Sequence, residues 1–218
     1  MLLDRRACRG PRHFAHRRVL LLAAGALTLP RVHAQGAAAT RTPADAPADL
    51  PALLALIGGK RERRAEFVER RYSGLTRAPL ESRGRLLFRA PDRLEKQTLA
   101  PQRETVRIDG GTVTIEGLPV RGVPERRSLQ LADIPLLAAL VESLRATLAG
   151  DLARLKRHYT PRYRTVERGW ELLLEPTDPQ LAAAVARVVL RGRADAVATV
   201  EIVETGGDRT ELSITPVA

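Results

Sequence analysis

The chain has 218 residues, with 36 Lys+Arg against 25 Asp+Glu, a formal net charge of +11 and 44% hydrophobic residues. That apolar content excludes a disordered chain and supplies one core, and at about 150 residues per domain the length allows one domain with a small appendage. A single Cys excludes a disulfide framework and any cysteine-rich metal centre.

Residues 1–34 read as a secretory signal peptide. Arg5, Arg6, Arg9, Arg12, Arg17 and Arg18 form a basic lead, 19–29 (VLLLAAGALTL) is apolar, Pro30 breaks the run, and Val32-His33-Ala34 offers a small-x-small cleavage pattern before Gln35. A permanent span needs about 20 apolar residues, so the run is too short to anchor the protein. Cys8 precedes the apolar run, which argues against lipid attachment at a mature cysteine. The expectation is an exported, soluble protein. Without 1–34 the chain carries 29 basic against 24 acidic residues, no Cys, and His158 as its one histidine.

Residues 35–49 (QGAAATRTPADAPAD) are a flexible lead, and 50–218 form a single domain. A short helix over 50–57 starts on an Asp49 cap and stops at Gly58-Gly59, with Leu50, Leu53, Leu54 and Ile57 on one face. Strand patterns then dominate 64–130. Ala65 and Phe67 alternate with Glu66 and Val68. Leu86 and Phe88 share a side, as do Leu94, Lys96 and Thr98. Val106 and Ile108 lead into Asp109-Gly110-Gly111, a tight turn from which Val113 and Ile115 return. Residues 117–124 read as a Gly/Pro-punctuated loop, and 126–131 as one more strand.

Asp133 is the expected cap of the clearest helix, which ends at Gly150 with Ile134, Leu137, Leu140, Val141, Leu144 and Leu148 as its apolar stripe. A shorter basic helix follows over 151–157. Residues 163–166 and 170–174 form a hairpin with Trp170, Leu172 and Leu174 inward. Residues 181–190 are ambiguous, opening alanine-rich and closing VARVVL, and 195–203 with 208–214 make a last hairpin across Gly206-Gly207. Short strands joined by tight turns imply antiparallel pairing. The fold class is therefore mainly β with helices (α+β): a curved antiparallel sheet of roughly ten strands, forming an incomplete β-barrel covered by short helices.

Enzymatic chemistry finds little footing. The mature chain has no cysteine nucleophile, one histidine cannot build a His-rich zinc site, and no G-x-S-x-G, G-x-G-x-x-G or phosphate loop occurs. Glu167, Glu171 and Asp195 are the acids a glycosidase pair would draw on, without a placement that distinguishes them from surface carboxylates. The basic clusters Lys60, Arg61, Arg63, Arg64 and Arg154, Lys156, Arg157, Arg162, Arg164 suit a solvated face or an acidic partner, and export argues against nucleic acid. The expectation is a non-enzyme without metal or cofactor.

Several segments carry a family likeness. Phe67-Val68-Glu69 with Tyr72, Gly84-Arg85-Leu86-Leu87-Phe88-Arg89-Ala90-Pro91, Pro101 through Ile108-Asp109-Gly110-Gly111-Thr112-Val113, and Gly169-Trp170-Glu171-Leu172-x-Leu174-x-Pro176 together resemble the periplasmic outer-membrane lipoprotein carrier (LolA-like) family. The resemblance implies a half-open barrel whose apolar cavity takes a lipid or acylated protein cargo from an inner-membrane exporter to an outer-membrane acceptor, as a monomer. It places Phe67, Leu86, Phe88, Leu94, Val106, Ile108, Val113 and Ile115 in the cavity, and Leu53, Ile57, Leu137, Leu140, Val141 and Leu144 in the lid. Family carriers of lipoproteins set an arginine immediately before the proline of the second strand, where it bonds to the lid. Here that position is Ala90, with Arg89 one place earlier, and Lys96 stands where the family has a cavity tryptophan. Arg89 and Lys96 are therefore candidate polar gates, and the departures imply a divergent branch with another amphiphilic cargo. The alternative is a periplasmic scaffold or sensor of the same fold that binds protein partners and carries no lipid.

Overall fold

The structure is a computed structural model that describes residues 46–120 and 123–217. The expected signal peptide at 1–34 and the lead up to residue 45 lie outside the described residues.

Helix α1 (Leu50–Gly58) precedes six strands, β1 (Glu62–Tyr72), β2 (Leu80–Arg89), β3 (Arg93–Ala100), β4 (Glu104–Asp109), β5 (Thr112–Val120) and β6 (Val123–Gln130). Helices α2 (Pro135–Ala149) and α3 (Leu152–Leu155) follow, then β7 (Tyr159–Val166), β8 (Gly169–Pro176), α4 (Pro179–Ala184), β9 (Val185–Arg193), β10 (Ala196–Glu204) and β11 (Arg209–Val217). All eleven strands make one sheet in the order β6-β5-β4-β3-β2-β1-β11-β10-β9-β8-β7. Two meanders meet where β1 pairs antiparallel with β11, Phe67 opposite Ile214. Among the described residues β6 and β7 end the sheet unpaired, so the barrel is incomplete. The expected fold class stands.

Two local expectations need correction, and one ambiguous segment is resolved. Residues 117–124 are not a loop: β5 runs to Val120, β6 starts at Val123, and the two residues pair, with the register slipping between Gly117 and Val120. The glycine and proline signals mark an irregularity inside a hairpin. Asp133 is not a helix cap, because a 3-10 turn over Leu131–Asp133 absorbs it and Ile134 takes the cap position without a side-chain bond. The ambiguous 181–190 divides cleanly: Asp178 accepts hydrogen bonds from the Gln180 and Leu181 amides to start α4, and the β-branched residues from Val185 onward take over as β9.

The helices pack on one face of the sheet, here the inner face. On it stand two apolar clusters. The larger gathers Leu53, Leu54 and Ile57 of α1, Ala146 of α2, Leu155 of α3, Leu181 of α4, and Trp170, Leu172, Leu174, Val188 and Leu190 of β8 and β9. The smaller gathers Phe88, Leu94, Ile108 and Val113 of β2 to β5 under Leu131 and Val141. Helix α2 belongs to both, since Leu140 packs on the first cluster, Leu137 on the second and Leu148 on both. Its close seat on α1 depends on Gly150, whose φ of 75° is left-handed and where a Cβ would lie 2.5 Å from the Leu54 carbonyl oxygen.

The outer face is polar and held by cross-strand ion pairs. One ladder runs Glu95, Arg107, Glu116, Arg126 across β3 to β6. A second runs Arg164, Glu171, Arg191, Glu201 across β7 to β10. This alternation of apolar-in and charged-out fixes the register, because a one-residue slip would turn ladder charges such as Arg107, Glu116, Glu171 and Arg191 toward the inner face.

Candidate functional site

The sequence expectation put eight residues on the cavity wall, and strand register places all eight on the inner face. Phe88, Leu94, Ile108 and Val113 lie buried in the smaller cluster with Val106 and Ile115 half-buried against it. Phe67 is buried outside both clusters, its ring over Gly84, where a Cβ would lie 1.9 Å from the Gln97 carbonyl oxygen and 3.0 Å from that ring. Leu86 is half-buried, as are Leu212 and Ile214 of β11, the inner-face residues nearest Phe67 in register. The strip formed by β2, β1 and β11 is thus an apolar floor between the clusters that neither one fully covers.

Of the lid candidates, Leu53 and Ile57 are locked inside the larger cluster, Leu140 packs against it, and Leu137 and Val141 meet the smaller one. Leu144 differs. At about 100° per residue it lies about 20° from Leu137, 40° from Leu148 and 60° from Val141 on the helical wheel, the arc that packs on the sheet. Yet Leu144 is 44% exposed while Val141, Ser143, Arg145, Ala146 and Thr147 around it are buried. On the wheel it lies between Leu140, which packs on the larger cluster, and Leu137, which packs on the smaller, so this part of the sheet-facing arc of α2 reaches solvent.

Of the two candidate polar gates, Lys96 stands on the inner face. It pairs with Glu69 and holds its Nζ 5.1 Å from the centre of the Phe67 ring. Arg89 points to the outer face and pairs with Glu62. An open polar cleft of about 290 Å³ adjoins Lys96, lined also by Glu69, Ser82, Thr98, Arg103 and Glu104.

Sequence reasoning missed Arg145. It is 4% exposed, and its guanidinium donates to the Asp92 carbonyl from Nε (3.1 Å) and Nη2 (2.8 Å), and to the Gly110 carbonyl from Nη2 (2.6 Å). Its Nη1 donates to Glu142 (3.2 Å), whose other oxygen accepts from Arg154 Nε at 2.7 Å. One side chain thereby ties α2 to the β2–β3 and β4–β5 turns. Burial opposes ionisation of Glu142, but the hydrogen bonds from Arg154 and Arg145 hold its carboxyl below the ordinary range. The signal was available, because Arg145 falls four residues after Val141 and three before Leu148, a charge on the apolar arc.

At the opposite corner Arg63 donates to the Ile57 carbonyl at the end of α1 and to Asp195, which Lys60 also meets at 2.7 Å. Hydrogen bonding from Lys60, with Arg63 adding to it against the effect of burial, holds the Asp195 carboxyl low. Glu171 is occupied by Arg164 and Arg191 on the outer face. Asp195 and Glu171 therefore act as structural counter-ions. Much of the basic excess is likewise used internally, in pairs made by Lys60, Arg63, Arg64, Arg154, Arg162 and Arg164. Among the described residues no three His, Cys, Asp or Glu side chains gather as a metal site, and no helix is long and apolar enough to cross a membrane.

A half-open antiparallel shell with an apolar floor beneath a helix is the architecture of the lipoprotein carriers that the sequence resembles. The sequence model of the family described as outer membrane lipoprotein carrier protein LolA-like matches residues 42–216, and the chain belongs to that family. Among solved structures, a LolA superfamily protein from Nitrosomonas europaea is similar over 75% of this chain and 88% of its own, at 12% identity and a TM-score of 0.36. A DUF1329 family protein from Desulfovibrio piger is similar over 77% of this chain and 89% of its own, at 12% identity and a TM-score of 0.30. Likenesses this distant carry no argument of their own. A search of curated proteins finds no match.

Proposed function

We propose that the chain is a periplasmic carrier that shelters the alkyl part of an amphiphilic cargo, lipoprotein or lipid-like, and moves it between an inner-membrane donor and an outer-membrane acceptor. The exposed Leu144 on the sheet-facing arc of α2, together with the half-buried apolar floor of Leu86, Leu212 and Ile214, supports this reading. An alkyl chain in water costs about 0.8 kcal/mol per exposed CH₂, so a courier must cover it, and apolar surface already open to solvent is where a tail can start to enter. Longer tails need α2 to part from the β2–β5 arm, where Leu137 and Val141 now fill the space over Phe88 and Val113. The bonds from Arg145 to the two turns are the polar restraint on that parting. Family membership supports the carrier class and the envelope location, while the cargo is open and no catalytic step is assigned.

The test is to purify the protein from its native envelope and analyse extracted lipids and acylated proteins by mass spectrometry. Stoichiometric recovery of an alkyl-bearing compound is expected. Empty protein that also fails to take up an apolar fluorescent reporter overturns the proposal and leaves a scaffold or sensor that binds protein partners.

A further inference from the structure

Within the strands, the apolar floor ends at a charged cleft. Lys96 lies between Leu86 and Val106 in register, all on the inner face, so its stem belongs to the floor while its ammonium enters the cleft. Glu69 lies opposite Ser82 on the neighbouring strand pair, and Arg103 and Glu104 close the cleft from the β3–β4 turn. Two cations and two anions thus share one open pocket of about 290 Å³ beside the place where a tail would lie.

We propose that this cleft is the head-group site of the cargo and that it takes a zwitterionic phosphate–amine head, phosphate toward Lys96 and Arg103, ammonium toward Glu69 and Glu104. The assignment rests on the carrier reading above. It follows from charge matching in a partly desolvated place. The Lys96–Glu69 pair is half-buried over the Phe67 ring, and a head of one sign would draw one partner away and leave the other unpaired. A head carrying both charges exchanges the internal pair for two external ones. A neutral sugar head would make hydrogen bonds but give the pair no reason to open.

The experiment uses single-chain lipids of equal chain length with three heads: lysophosphatidylethanolamine, lysophosphatidic acid and an alkyl maltoside. Each displaces the reporter N-phenyl-1-naphthylamine from the intact protein. The zwitterionic lipid is expected to bind about tenfold tighter than the other two, the scale of one charge-assisted contact. Lys96→Met should erase that preference, and Glu69→Gln, which keeps the shape and removes the negative charge, should shift it toward lysophosphatidic acid. Equal affinity for the three heads in the wild-type protein, or an unchanged preference in both variants, overturns the head-group site and leaves the carrier reading standing. A reporter that never binds protein shown by mass spectrometry to be free of cargo overturns both.

Discussion

The two arms of the sheet hold the helices by different means. In the β7–β9 arm Trp170 and Leu172 are fully enclosed together with Leu53 and Ile57 of α1 and Leu181 of α4, and Trp170 Nε1 donates to the Ala194 carbonyl at 2.9 Å. In the β2–β5 arm the apolar contact is thinner, with Leu94 and Ile108 at the rim of burial, and Arg145 adds a polar clasp to two turn carbonyls. Apolar burial over a wide area resists any partial separation, whereas hydrogen bonds at one point can be exchanged for water. The helices are therefore fixed to one arm and fastened to the other, which is the asymmetry a carrier needs to open without unfolding.

Breaking the fixed arm should cost most. Trp170→Ala removes a fully buried ring that fills the space beside Gly192, and about 3–5 kcal/mol of global stability should go with it, read by calorimetry as a lower Tm for the whole domain. Arg145→Met should cost less, about 1–3 kcal/mol, and act locally. Hydrogen exchange should quicken in the first half of α2 and at the turns near Asp92 and Gly110 while β8 stays protected, and the apolar reporter should enter faster. Equal deprotection of both arms would remove the distinction between them.

Acid should loosen the same fastenings. Glu142 and Asp195 have lowered pKa values in the fold, so the stability they add is complete above the ordinary carboxylate range near about 4. It is lost as pH falls through their lower folded values. A pH titration followed by hydrogen exchange should show α1 and α2 loosening below that range before the Trp170 environment changes. The smallest effect belongs to the outer face: Arg126→Ala removes an exposed end of a ladder and should move stability by less than about 1 kcal/mol.

Much of this was legible in the residues. Alternation and the Gly110-Gly111 turn announce the meander and group the same-side residues of each strand, while the family resemblance is what turns the residues from Phe67 to Ile115 inward. Which of them pack and which stay uncovered was not legible, because that depends on where α2 crosses, a tertiary fact that leaves Val141 buried and Leu144 open on one arc. Arg145 was hidden for a related reason. A charge on an apolar stripe reads as an interruption until the carbonyls of Asp92 and Gly110, distant in sequence, are seen to receive it.

The central claim is that an alkyl chain lies on the inner floor beneath Leu144. Methyl NMR of the protein titrated with a spin-labelled fatty acid tests it most directly. Broadening should appear at Leu144, Leu86, Leu212 and Ile214 and spare Leu172 and Leu174. Broadening confined to outer-face methyls, or absent at every concentration, would contradict the account.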